Sequence, residues 1–170
     1  MTSEQPDPPE ADAPRRGVIL KAVLRWGGIL LGVLVLLFAI IQVVPYGRGH
    51  SNPAVRQEPA WDSPETRALA VDACFDCHSN QTSWPWYSNV APVSWLVQRD
   101  VDNGRDALNF SEWDREQESE DAAEAVQEGR MPPDYYGWLH PKARLSSSER
   151  QALIRGLQAM FGSGGGGQGD

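Results

Sequence analysis

From Trp26 to Val44 the chain runs for 19 residues without a charge, with Gln42 the only strongly polar side chain. At 1.5 Å rise per residue such a helix is about 28 Å long, close to the roughly 30 Å hydrocarbon core of a bilayer. A core helix of a globular domain keeps a polar face, and "WGGILLGVLVLLFAIIQVV" has none. Arg15, Arg16, Lys21 and Arg25 precede the run and only Arg48 follows closely. The positive-inside bias therefore predicts a cytoplasmic N-terminus and an extracytoplasmic remainder. A cleaved signal peptide would carry a shorter apolar region and an A-x-A-like site, and "VVPYGRGHSNPA" offers no such site. The expected organisation follows from these segments. A Pro- and acid-rich disordered cytoplasmic tail covers 1–16, and a transmembrane signal anchor covers 17–45, with Trp26 and, just beyond it, Tyr46 where interfacial aromatics are expected. An irregular tether (46–57), a folded domain (58–161) and a flexible Gly-rich tail (162–170) complete the chain.

Charge is uneven. Residues 45–170 hold eleven basic and nineteen acidic side chains, which is the whole net charge of −8. That balance excludes the basic face nucleic acid requires and suits steering towards a basic partner. Six of the seven tryptophans lie after residue 60. So small a domain, with few aliphatic runs, needs something large to pack around.

The chain has two cysteines, Cys74 and Cys77, and one of its three histidines, His78, follows directly. A disulfide across two residues would constrain the unfolded chain little. A thioredoxin-like pair needs a βαβ context that is missing. Zinc needs four ligands, and no second close-spaced pair joins His50, His78 and His140. Covalent haem attachment uses every member of the cluster. Two thiols form thioethers with the haem vinyl groups, and the histidine ligates iron. Attachment outside the cytoplasm agrees with the topology derived independently.

The surrounding segments read as helix and loop. Ser63-Pro64-Glu65 opens a helix that continues through "ETRALAVDACFDC". "TSWPWYSNVAP" is a loop, since Pro85 and Pro92 each remove a backbone donor. Val93 to Leu108 is a second helix, weakened at Gly104, and "SEWDREQESEDAAEAVQEG" a third, capped by Ser111 and ended by Gly129. Ser146 and Glu149 form the capping box of a last helix, with Leu153, Ile154, Leu157, Met160 and Phe161 at helical spacing.

Candidates for the second axial position on iron are Met131, His140, Met160 and His50. Met160 reads as core filler and His50 as a solvated tether residue. Met131 precedes Pro132 and Pro133, whose stiffness would hold a thioether at low entropic cost, with His140 the alternative.

In "CFDCHSNQTSWPWYSNVAPVSWLVQRDVDNGRDALNFSEW" and "GRMPPDYYGWLHPKARLSSSE" the chain resembles the bacterial haem-binding domain family, over roughly residues 55–160. It is also similar to class I cytochromes c, in which a distal methionine loop leads into a closing helix packed on the N-terminal one. The resemblance implies an all-α, cytochrome c-like domain behind one transmembrane helix, with one covalent haem c held by Cys74, Cys77 and His78. Trp84, Trp86 and Tyr87 would then cover the haem edge, and Arg99 and Arg105 become candidates for pairing with its propionates. The expected function is a membrane-anchored, single-electron carrier rather than a catalyst, serving membrane-associated redox proteins. The alternative is a gas or redox sensor, or a peroxidase-like protein, with an open or displaceable sixth ligand.

Overall fold

The computed structural model describes residues 13–162, and side chains from residue 17 onward. The segment 1–12 of the expected tail and the run 163–170 lie outside the described residues. The chain divides into two compact units, up to Val44 and from Pro45. The first holds α1, Ala13–Ile41, in which Gly17–Ile41 is long and apolar enough to cross a membrane. Its apolar side chains from Val18 to Ile40, such as Leu24, Leu34 and Phe38, are exposed.

The second unit is all-helical. Among the described residues the only β pairing is an isolated parallel bridge between Gln57 and Glu112. Helix α2, Pro64–Ala73, starts where expected: Ser63 Oγ accepts from Thr66 N at 3.1 Å and proline occupies the first position. It does not run on through Cys77. Cys74 adopts φ −125°, ψ −37°, which ends α2, and a one-turn helix α3, Phe75–His78, begins afresh. Cys74 O accepts from both Cys77 N (3.1 Å) and His78 N (2.8 Å), so this turn carries the whole cluster.

A 3-10 turn, Trp86–Asn89, interrupts the predicted loop and leads into α4, Val93–Ala107. Gly104 does not weaken α4. A Cβ built there would stand 2.5 Å from Cys77 O and 3.0 Å from Cys77 Cβ, so the missing side chain lets α4 approach the cysteine turn.

The predicted acidic helix is cut short. Only α5, Ala122–Gln127, forms, and Ser111 is buried rather than capping. Ser111 Oγ accepts from Asn80 N at 2.9 Å, and its carbonyl accepts from the amides of Arg56 and Gln57. Gln117 Oε1 accepts from Asn109 N at 2.7 Å. These long-range bonds satisfy backbone that a helix would otherwise claim, while crowded carboxylates at i, i+4 disfavour helix there.

Helix α6, Asp134–Leu139, and a 3-10 turn, Pro141–Ala143, precede α7, Ser147–Phe161, which has the full predicted capping box. Leu153, Ile154 and Leu157 are buried, each contributing about 1.5–3 kcal/mol, whereas Met160 is only half-buried. Helix α7 crosses α2 where a Cβ on Gly156 would lie 2.2 Å from Thr66 Oγ1. The closing helix thus packs on the first helix of the domain. Phe75 and Phe110 stack at 5.5 Å in the core beside Leu69 and Leu153.

The tether is not free. Gly47 is buried, with φ +81°, and a Cβ there would strike Ser94 O at 2.2 Å. Asn52 Nδ2 donates to Thr82 O at 2.8 Å, and Arg56 pairs with Asp114. Residues 47–57 therefore belong to the folded unit.

Candidate functional site

Behind Gly104 lies a cavity of about 380 Å³. Cys74, Cys77 and His78 line it from the cysteine turn, and Met131 lines it from the Met-Pro-Pro segment, 53 residues beyond His78 in sequence. Ala107, Leu108, Ala125, Val126 and Leu157 supply apolar wall. Met131 is held by its own amide, which donates to Ala125 O at 3.0 Å, and its side chain stays 37% exposed.

His78 is held as a neutral imidazole. Its Nδ1 lies 3.0 Å from Leu108 O, and a carbonyl can only accept, so the proton sits on Nδ1. Nε2 of the neutral ring then keeps its lone pair. Burial lowers the His78 pKa, against the opposing pull of the Leu108 and Gly104 carbonyls, which favours the unprotonated state a metal ligand needs.

Both cysteines are free thiols, and burial pushes each up to about 12. At Cys77 the carboxylates of Asp100 and Asp76 add to the effect. Such protonated thiols lack the low pKa of a redox-active pair. Two tyrosines of the wall are fixed by the same carboxylates. Tyr135 OH donates to Asp100 Oδ2 at 2.8 Å and is pushed up to about 12, mainly by burial. Tyr136 OH donates to Asp76 Oδ2, and burial together with that bond raises its pKa further.

Other expected site residues lie elsewhere. Trp84, Trp86 and Tyr87, expected to cover a haem edge, are not among the residues that line the cavity. Trp84 stacks on His50 at 4.6 Å and donates to Asn52 Oδ1, while Trp86 is 79% exposed. Tyr87 OH donates to His140 Nε2 at 3.1 Å, and His140 Nδ1 donates to Tyr136 O at 3.0 Å. With both ring nitrogens engaged, His140 is a brace between α6 and the 3-10 turn. His50 is no solvated tether residue, since its Nε2 meets Ser88 O and Oγ.

Arg105 is committed to the backbone of Ser79 and Ser51 and to Thr82 Oγ1, and Arg99, itself not in the lining, pairs with the lining residue Asp100. The cation that does line the cavity is Arg130, which sequence reasoning passed over. Asp100, Glu118 and Asp121 also line it. "EGRMPPDYYG" held the signal for Arg130, Tyr135 and Tyr136, since all flank the one methionine on a rigid segment.

A family model described as a haem-binding domain matches residues 36–159. The chain belongs to the haem-binding domain family. No curated protein and no solved structure matches it. The match begins inside α1 and takes in the whole of 47–57, which agrees with that segment being packed rather than loose. The lining fits the haem this family binds: an apolar wall, a neutral imidazole and a thioether in one cavity. Among the described residues no three His, Cys, Asp or Glu side chains gather to hold a bare metal ion.

Proposed function

We propose that this haem-binding domain is a membrane-anchored, monohaem c-type cytochrome that carries single electrons outside the cytoplasmic membrane. The observation that carries this reading is the convergence of Cys74, Cys77, His78 and Met131 on one cavity. Bound haem would supply an iron that alternates between ferric and ferrous states. Cys74 and Cys77 would hold the group through thioethers, each S–H adding across a vinyl double bond with sulfur to one carbon and the proton to the other, so that no leaving group or oxidant would be needed. His78 Nε2 and Met131 Sδ are the residues that would ligate the iron, a pairing that would raise the potential by favouring the ferrous state. The apolar wall would exclude water, and Arg130, which pairs with Glu128 at 2.6 Å, would be the cation nearest at hand for a propionate.

The charge-free run of α1 from Trp26 onward, and Arg15, Arg16, Lys21 and Arg25 in its N-terminal part, support a cytoplasmic N-terminus and an extracytoplasmic haem domain. Asp100, Glu118 and Asp121 at the cavity favour a basic docking face on the redox partner. The exposure of Met131 favours a second reading, a sensor or peroxidase-like protein in which this ligand is displaced.

Absorption spectra of the matured full chain distinguish the two. An electron carrier gives a six-coordinate reduced spectrum that carbon monoxide leaves unchanged, and Met131→Ala makes it high-spin. Immediate carbon monoxide binding by the unaltered protein would favour displaceable ligation. Haem released by boiling in detergent and reductant would remove covalent attachment from the proposal.

A further inference from the structure

The folded unit begins at Pro45, two residues before Gly47, whose backbone is pressed against Ser94 in the first turn of α4. Three residues on, His50 bonds Ser88 of the 3-10 turn. The chain therefore enters the unit by clamping onto two neighbouring elements, α4 and the turn before it. Both present apolar side chains to solvent: Trp86 is 79% exposed, Val93 41% and Leu96 40%, and Tyr46 beside the entry point is 47% exposed. Charge is absent from the same stretch. Ser79 to Gln98 is twenty residues with no Asp, Glu, Lys or Arg, in a chain that is 22% charged. Arg99 and Asp100, one turn beyond Leu96, pair with each other and bound this run. Within it, a solvated stretch of so acidic a domain has no reason to be both uncharged and aromatic, whereas the interfacial zone of a bilayer selects Trp and Tyr.

We infer that the face formed by Tyr46, Trp86, Val93 and Leu96 rests on the outer surface of the bilayer, so that the domain is docked on the membrane as well as tied to it. The inference rests on the anchor reading above. The occupant is lipid because covalent continuity allows no other partner such constant proximity. At about 3.3–3.6 Å per residue, the five residues from Gln42 to Tyr46 span at most about 18 Å between the end of α1 and Gly47.

The test uses the full, haem-loaded chain in vesicles of phosphatidylethanolamine and phosphatidylglycerol. A photo-reactive p-benzoylphenylalanine replaces, one at a time, Trp86, Val93, Leu96, Leu34 within α1, and the exposed Glu116. Only proteins with the unaltered absorption spectrum are scored, and three independent positions report on the face. Lipid adducts at Trp86, Val93 and Leu96 comparable with Leu34, and several-fold above Glu116, are expected. Adducts at Leu34 with none above Glu116 on the face would overturn the docking and leave the anchor standing. No adduct at Leu34 would overturn both. Adducts joining two copies of the chain in place of lipid would make the face a dimer contact and end the proposal.

Discussion

Gly104 faces the carbonyl of Cys77 so closely that a methyl group on it would stand 2.5 Å from the oxygen and 2.9 Å from the carbon. Two helices meet here with no side chain between them, and the cavity opens beside the contact. Helix propensity alone would favour Gly104→Ala by about 1 kcal/mol. Overpacking against backbone costs about 1–3 kcal/mol, because neither helix can yield as a flexible side chain would. Packing wins, so Gly104→Ala should lower the melting temperature and Gly104→Val should lower haem incorporation as well. A stabilised Gly104→Ala would show that α4 and α3 are not in close register.

Arg105 ties three segments together through Ser79 O (2.8 Å), Ser51 O (3.0 Å) and Thr82 Oγ1 (2.9 Å). Charge-assisted bonds of this kind contribute about 1.5–3 kcal/mol each in isolation but share one side chain here, so Arg105→Met should cost about 2–4 kcal/mol. Denaturant titration measures it. The reduced potential should shift little, since Arg105 is not part of the cavity lining; a large shift would return it to the propionates.

The sequence made the ends of elements legible wherever a local side chain creates them. Ser63 and the Ser146–Glu149 box act within one turn of chain, and both helices start there. It misled where distant partners decide. Ser111 has the look of a cap, yet its hydroxyl and carbonyl are claimed by Asn80, Arg56 and Gln57, 31, 55 and 54 residues away, which no local pattern encodes. Gly104 carried the opposite error, because a helix breaker by propensity is a helix spacer once Cys77 packs against it. At the cavity, Cys74, Cys77 and His78 were readable as adjacent residues of one motif. Arg130 was not, because only the fold brings its segment to the same cavity.

Glu58 accepts two bonds from Arg67, both at 2.7 Å, and one from Trp61 at 2.9 Å; the Arg67 bond chiefly holds its carboxyl below the usual range. A depressed carboxyl contributes stability that is present above its unfolded pKa and is lost as pH falls through the folded one. Both side chains are partly exposed, so screening limits the pair to about 0.5–1 kcal/mol. Glu58→Gln should therefore be less stable at neutral pH and converge with the unaltered protein below about pH 4. Equal stability at pH 7 would mean the pair contributes nothing.

Chain prepared without haem maturation should hold two unreactive thiols. With Cys74 and Cys77 pushed up to about 12, alkylation at pH 8 should be about a hundredfold or more slower than in denaturant, because the thiolate is the reactive form. The sign for stability is opposite to that at Glu58. A thiol raised above its unfolded value favours the fold at lower pH, and that advantage disappears as pH rises from about 9 towards 12. Alkaline titration of the haem-free protein by circular dichroism should show this loss, and fast alkylation in the native state would contradict the burial of the pair.

In the proposed membrane-anchored carrier, the clamp of Gly47 on Ser94 would also limit the working height. A carrier on a long leash samples a hemisphere and can visit acceptors at many distances from the membrane plane. Here at most about 18 Å of chain lies between the last turn of α1 and a segment fastened to the domain, so that sweep is lost. On that proposal, a redox partner would have to bring its own exchange site close to the lipid. Encounter is then a lateral search in two dimensions, whose rate depends on crowding and diffusion within the membrane more than on reach.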